Sequence, residues 1–315
     1  MRMRRLGSQG PEISVVGFGA WEAGGGREWG LAPADEQVLQ AIRAGLDAGM
    51  TWIDTAEVYG DGRSELFVAR AISGRRHEVF VATKVAPHPA GSGFRPEEVR
   101  RACTGSLGRL GTDYVDLYQL HWPDRSGIPV EDTWGAMADL VGEGLVRFVG
   151  VSNFDRDLIE RCEPIRHVDS LQQHFSMLEL KDRELIRWCG ERGTAVLSYG
   201  PLAFGLLTGA VTMGTTFDAE DHRVREKGHL FGPGNRERSL AVVDAMRPIA
   251  ERLGHTLAQL AIAWNVHQPG VASTIAGSRD PGHARANAAA GDVELDDEAL
   301  ADLEAILSLG PAPTA

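Results

Sequence analysis

Thr51-Trp52-Ile53-Asp54-Thr55-Ala56-Glu57-Val58-Tyr59-Gly60 begins as an apolar strand and ends as a polar turn. Trp52 and Ile53 close a short hydrophobic run behind a helix-like segment, so Asp54 falls where strand gives way to loop. A carboxylate at that junction, a phenol five residues on and a glycine to turn the chain point to chemistry more than to packing. A free tyrosine hydroxyl has a pKa near ~10, so Tyr59 acting as an acid at neutral pH calls for a cationic neighbour.

Outward from this stretch the same unit recurs. Ile13 to Gly19 reads as a short apolar strand closed by glycines. A helix over 35–48 follows, with Val38, Leu39, Ile42 and Leu46 on one face, Asp35 and Glu36 at its positive end and Gly49 as its stop. A second helix over 64–72 leads to the buried strand Val79 to Lys84. Residues 95–110 are amphipathic before the strand Tyr114 to His121, and 133–143 are helical before Val146 to Ser152. Shorter units put strands at 170–172 and 195–199, and the last at 272–276.

Strand-end positions 54, 84, 121, 152, 173 and 199 are separated by 30, 37, 31, 21 and 26 residues. Alternation at that spacing means a parallel sheet with right-handed crossovers. Eight such units in 315 residues predict a closed (β/α)8 TIM barrel, one domain over 1–315. An open doubly wound sheet shares the alternation, but Gly17-Phe18-Gly19-Ala20-Trp21-Glu22 lacks the third glycine of its fingerprint. The 77 residues from Tyr199 to Ala276 leave room for extra helices, read at 239–253 and 256–267 and parted at Gly254. Residues 205–238, polar and glycine-rich, form a long loop after the seventh strand and predict a lid over the barrel mouth. A closing helix is expected over 295–309.

Bulk properties narrow the function. A net charge of -12 argues against nucleic acid as a main partner, while leaving room for an anionic cofactor held by a few local cations. Hydrophobic content of 43% and charged content of 24% are ordinary for a globular protein. Cys103, Cys162 and Cys189 are scattered and odd in number, which fits a reducing cytoplasm and idle thiols. The basic start Met1-Arg2-Met3-Arg4-Arg5 has no apolar run behind it, and nothing approaches a membrane span, so neither a signal peptide nor a membrane partner is expected. No paired-cysteine or His-Glu-x-x-His spacing suggests a metal, and Ser152 has no Gly-x-Ser-x-Gly elbow.

In a parallel barrel the residue ending each strand faces one rim. Asp54, Lys84 and His121 end the second, third and fourth strands, and Tyr59 follows the second. With neighbouring strands only about 4.8 Å apart, these four side chains should meet. Lys84, held charged by Asp54, would lower the pKa of Tyr59, which could then protonate an oxygen becoming an alkoxide, oriented by His121. Such an oxygen belongs naturally to a carbonyl receiving hydride. Each residue also has a structural reading: an ion pair for Asp54 and Lys84, packing for Tyr59, a core histidine for His121.

At these residues the chain resembles the aldo-keto reductase superfamily, nearly end to end. The resemblance rests on Gly17-Phe18-Gly19-Ala20-Trp21, the Asp54 to Gly60 stretch, Thr83-Lys84 and Gln119-Leu120-His121-Trp122-Pro123. Gly150-Val151-Ser152-Asn153 and Ser198-Tyr199-Gly200-Pro201-Leu202 complete it. It implies a barrel with an N-terminal hairpin that binds NADP without a Rossmann fold, NADPH preferred and NADH possible, and a small-molecule carbonyl substrate. It also implies Tyr59 as general acid, completed by Lys84, Asp54 and His121. Ser152, Asn153 and Gln172 would bond the nicotinamide carboxamide, Tyr199 would stack on the ring, and Ala20 and Trp21 would line the same site. Gly200, Pro201, Leu202 and Gly205 would follow the pyrophosphate. Gly277-Ser278-Arg279 would open a helix suited to phosphate, with Arg279 on an adenosine 2′-phosphate and His283 and Asn287 beside it.

Departures from the common pattern are Ala276 for proline, Gly200 for serine, Phe175 for tyrosine, Ala286 for a glutamate near the adenine, and His283 for Arg or Gln. Trp21, Trp29, Trp122 and Phe154 are expected to wall the substrate pocket. Two other functions share these residues. One is an NADPH-holding regulator like the potassium-channel β subunits, which also resemble this family; the other is a barrel aldolase with Lys84 as Schiff-base amine.

Overall fold

The computed structural model describes residues 1–25, 34–86 and 94–310. The chain opens with an antiparallel hairpin, β1 (Met3–Arg5) and β2 (Glu12–Ser14), with Met3 opposite Ser14. The barrel strands are β3 (Val16–Gly19), β4 (Trp52–Asp54), β5 (Phe80–Val85), β6 (Val115–Leu120), β7 (Val146–Ser152), β8 (Ser170–His174), β9 (Ala195–Tyr199) and β10 (Val271–Ile275). They pair in parallel in chain order, and β10 returns to β3 to close the ring. This is the expected TIM barrel. Most boundaries shift by one to three residues, and one differs in kind: residues 13–19 are not a single strand. The chain changes partner at Val15, whose N–H donates to Arg2 O at 3.0 Å, so Ser14 ends the hairpin and Val16 starts the barrel.

Helices α1 (Asp35–Asp47), α2 (Arg63–Ala71), α3 (Pro96–Leu110), α4 (Val130–Gly142), α5 (Arg156–Cys162) and α6 (Arg183–Glu191) follow the first six barrel strands. After β9 the 205–238 segment is more structured than its composition suggests. It holds two single-turn helices, α7 (His222–Arg225) and α8 (Gly228–Phe231), before α9 begins at Asn235. Helix α9 runs to Leu253 and stops at Gly254, whose φ of 72° suits a residue without a side chain. Helix α10 (Leu257–His267) starts from a reciprocal cap: the Gln259 N–H donates to Thr256 Oγ1 at 3.2 Å and the Thr256 N–H to Gln259 Oε1 at 3.0 Å. Helices α11 (Pro281–Ala289) and α12 (Asp297–Ile306) complete the order. Among the described residues no helix is long and apolar enough to cross a membrane.

The period of two along each strand divides the apolar residues between two cores. Outward positions such as Ile53, Val81, Val149, Leu171 and Val196 pack under the helices. Inward positions Trp52, Ala82, Leu117, Ala195 and Leu197 fill the barrel, and Leu6 and Ile13 from the hairpin side close its lower end. Higher up, the same inward register turns polar, through Asp54, Lys84, Gln119, Ser152 and Gln172, all buried. A dry apolar floor therefore lies under a polar layer at the mouth.

Trp52 anchors that floor, its indole N–H shared between Ser14 O at 3.1 Å and Ser273 Oγ at 3.0 Å. A Cβ added at Gly17 would overlap the Trp52 ring. Gly17→Ala should therefore lower the unfolding free energy by about 1–3 kcal/mol, the usual cost of overpacking. Urea titration of both proteins measures the difference, and an unchanged midpoint would mean that the floor yields.

Candidate active site

The loop after β4 is fixed by contacts of its own backbone. Tyr59 N–H donates to Ala56 O at 3.1 Å, and the Thr55 and Ser64 hydroxyls, 2.8 Å apart, lead to Ala20 O through Ser64 Oγ at 2.7 Å. Gly24 and Gly60 lie backbone against backbone, with no room for a Cβ at either. Tyr59 is held in a narrow orientation as a result.

Lys84 is fully buried. Its Nζ donates to Asp54 Oδ2 at 2.7 Å, Thr55 O at 2.9 Å and Tyr59 Oη at 3.1 Å, which uses all three ammonium hydrogens. The other Asp54 oxygen accepts from Gln172 Nε2 at 2.7 Å. His121 Nε2 lies 3.4 Å from Tyr59 Oη, while Nδ1 is buried with no hydrogen-bond partner. Trp122 stacks on the His121 ring at 3.9 Å with 6° between the planes. The four side chains that strand-end spacing brought to one rim are thus in contact.

Burial pushes the Tyr59 hydroxyl well above its ordinary value, and the Asp54 charge adds to the shift. This is opposite to the lowering expected from Lys84. The ammonium is already balanced by Asp54, so it offsets little of the cost of a desolvated phenolate. Burial also lowers Lys84 and raises Asp54, against their mutual attraction. His121 is driven well below its ordinary value by burial and then by Lys84, so at neutral pH it is an uncharged imidazole. The three cysteines are buried, their thiols pushed up to about 12 by desolvation.

Around this centre, Asn153 takes a left-handed φ of 59°, which Asn tolerates better than most residues. Its Nδ2 donates to His121 O and Ser152 Oγ, both at 3.1 Å, and its Oδ1 accepts from Tyr199 Oη at 2.8 Å. Ala20 is buried, and its N–H donates to Asp54 O at 2.8 Å. At Gly200 (φ 72°) a Cβ would overlap the His174 ring, which explains why serine is absent there. Pro201 is buried and Leu202 half-buried beside it, and Gly205 takes a φ of 96°.

The mouth is collared by aromatic rings. Trp21 lies 6.2 Å from Tyr59 and 5.3 Å, edge-on, from His222 of α7. His222 is 5.3 Å from Phe204, which stacks on His174 at 5.5 Å, and His174 meets Tyr199 at 5.0 Å. Sequence reading missed His222, Phe204 and His174. His222 sits in a segment without periodicity, and the one signal near it is Asp221, which caps α7 through the Arg223 N–H at 2.9 Å.

Other expectations are corrected. Phe154, expected in the pocket, is 2% exposed and belongs to the core under the helices. It follows the left-handed Asn153, which turns the chain away from the mouth. Trp29 lies outside the described residues. The helix after β10 does not open at Gly277; it begins at Pro281, and the Asp280 carboxylate accepts from the His283 N–H at 2.8 Å. Gly277 instead meets Gly19 so closely that a Cβ would overlap its carbonyl. Ser278 Oγ accepts from the Asp280 N–H at 3.0 Å, and Asn287 Nδ2 donates to Gly277 O at 3.3 Å. Arg279 pairs with Glu22, and the His283 side chain is exposed.

Comparison with known proteins agrees with the barrel fold. The profile of the Aldo/keto reductase family matches residues 15–308. The chain is 34% identical to the Bacillus subtilis aldo-keto reductase YhdN, over 98% of this chain and 94% of that protein. It is 32% identical to the NADH-specific methylglyoxal reductase of Escherichia coli, over 94% and 95%. The solved aldo/keto reductase from Klebsiella pneumoniae, in complex with NADP and acetate, superposes with a TM-score of 0.77 at 33% identity, covering 100% of this chain and 98% of that one.

Asp54→Asn would leave the Lys84 ammonium buried without a counter-charge. The substitution should cost about 3 kcal/mol of unfolding free energy at pH 7. Urea titration checks this; unchanged stability would show that Lys84 had been neutral from the start.

Proposed function

The chain belongs to the aldo/keto reductase family and is an oxidoreductase acting on carbonyl groups, and on that premise we propose that it reduces an aldehyde or ketone to the alcohol with NADP(H), Tyr59 serving as the general acid. The observation that carries this reading is one buried ammonium touching both a carboxylate and a phenol, Lys84 to Asp54 and to Tyr59.

The residues present suit a dinucleotide. Ser152 at the end of β7 is in register with Gln172 on β8, Tyr199 ends the next strand, β9, and a Cβ built at Gly205 would meet nothing within 4 Å. Ser152, Asn153 and Gln172 would bind the nicotinamide carboxamide, Tyr199 would support the ring, and the 200–205 run would take the pyrophosphate. Arg279 and Asn287 would face the adenosine end. When bound, NADPH supplies the hydride. Tyr59 gives its proton to the carbonyl oxygen, and the phenolate left behind is stabilised by Lys84 at 3.1 Å. Neutral His121 orients the same oxygen, and Asp54 keeps Lys84 charged. Trp21, Trp122 and His222 would border the substrate. The same contacts weigh against a Schiff-base lysine, since an ammonium bonded to a carboxylate has no free electron pair.

Tyr59→Phe should abolish carbonyl reduction while leaving NADPH binding within about twofold, because it removes one hydroxyl and no cofactor contact. A carbonyl panel with NADPH and NADH, read at the nicotinamide absorbance, tests turnover. A regulator would bind NADPH and leave every carbonyl unreduced.

The pH dependence follows from the directions of shift. Reduction needs the protonated phenol, and Tyr59 is raised above its ordinary 10. Its kcat/KM should therefore stay flat from about pH 6.5 to 9. Alcohol oxidation needs the phenolate, so its rate should climb through the same window. A reduction profile falling within that window would remove Tyr59 as the acid.

A further inference from the structure

NADP(H) and NAD(H) differ by one phosphate on the adenosine ribose, so groups near that phosphate tell them apart, charged ones most strongly. On the reading above, Arg279 is the cation that meets it. In the structure Arg279 already has an anion: its Nε lies 3.7 Å from Glu22 Oε2, each side chain about 30% exposed. Burial raises the Glu22 carboxyl above its ordinary value, and the charges of Arg279, Arg223 and His283 oppose that shift. Arg223, however, is committed elsewhere, with its Nε donating to Asp221 Oδ1 at 2.8 Å and its guanidinium lying 4.1 Å from the Phe217 ring. The first turn of α11 is likewise supplied with a negative charge by Asp280. The adenosine end thus carries two carboxylates, Glu22 and Asp280, beside its basic groups.

We infer that Glu22 sets the choice between NADP(H) and NAD(H), its carboxylate competing with the 2′-phosphate for Arg279. The inference rests on the dinucleotide reading of the site and on the place given there to Arg279. Glu22 lies three residues beyond the end of β3 and Arg279 four beyond the end of β10, and these strands are direct neighbours in the barrel. For the phosphate to engage Arg279, the Glu22 pair must loosen and a carboxylate must remain beside a dianion. NAD(H) brings no such charge and meets neither penalty. The wild-type protein should consequently discriminate only weakly between the two cofactors.

The test is binding, without turnover: dissociation constants of NADP+ and NAD+ from quenching of tryptophan fluorescence at low salt. Glu22→Gln should tighten NADP+ by about three- to fivefold, the size of a partly exposed ion pair, and move NAD+ by less than about twofold. The gain should shrink as salt is added. Arg279→Gln should weaken NADP+ selectively, and in that background Glu22→Gln should have at most half its effect, since the two residues act through one contact. Glu22→Asp, with a shorter carboxylate, should lie between wild type and Glu22→Gln, and melting temperatures verify that each variant is folded. An NADP+ to NAD+ ratio indifferent to Glu22→Gln would overturn the inference alone. Failure of the wild type to bind either dinucleotide would overturn the reductase reading, and this inference with it.

Discussion

A lysine ammonium with no exposure to water is the constraint on which the active end of this protein depends. A charge so placed costs several kcal/mol unless its surroundings replace the lost hydration. The barrel supplies that replacement from adjacent strands. Asp54 is level with Ala82 on β5, and Lys84 stands two residues higher on the same inward face, so its long side chain leans back to the carboxylate. Thr55 O and Tyr59 Oη take the remaining hydrogens because the loop after β4 is pinned against Gly24. Remove the loop geometry and the ammonium loses two acceptors; remove the ammonium and the phenol loses its cationic neighbour. Position of the tyrosine and charge of the lysine are one property seen from two sides.

The two ends of the cleft differ in character. The chemical end is dry, its tyrosine protonated and its histidine uncharged. The end proposed for the adenosine is half-exposed and carries the Glu22–Arg279 pair and the Asp280 carboxylate, which accepts from the His283 N–H. Hydride and proton transfer benefit from fixed dipoles in a site without water. Discrimination of a phosphate at a rim is set instead by the local count of charges and is softened by salt. Aromatic rings run from neighbour to neighbour at the mouth, from Trp122 through His121, Tyr59, Trp21, His222, Phe204 and His174 to Tyr199.

Much of this was legible in the chain because barrels convert spacing into position. Once alternating strands and helices are recognised, Asp54, Lys84 and His121 must end neighbouring strands, and period two aims them inward. What escaped detection depends on partners distant in sequence. The break at Val15 exists because Arg2 O satisfies its N–H, a contact that no local pattern records. Phe154 adjoins a motif residue yet packs outward, because its direction follows from the unusual φ of Asn153. His222 lies in a segment whose composition says only loop, and its place against Trp21 is set by tertiary packing. The direction of the Tyr59 shift was misjudged because adjacency of a lysine is visible in sequence whereas dryness is not.

The hairpin and Trp52 make the barrel a cup and not a pipe. Leu6, Ile13 and the indole fill its base, so among the described residues the lower end is closed by packed side chains. On the proposed mechanism, every proton that leaves Tyr59 is restored at the mouth, past the stacked rings of His121 and Trp122. On that mechanism the departure of an alcohol and the recharging of the phenol share one doorway, so a bulky product that lingers there would hold back the next cycle twice over.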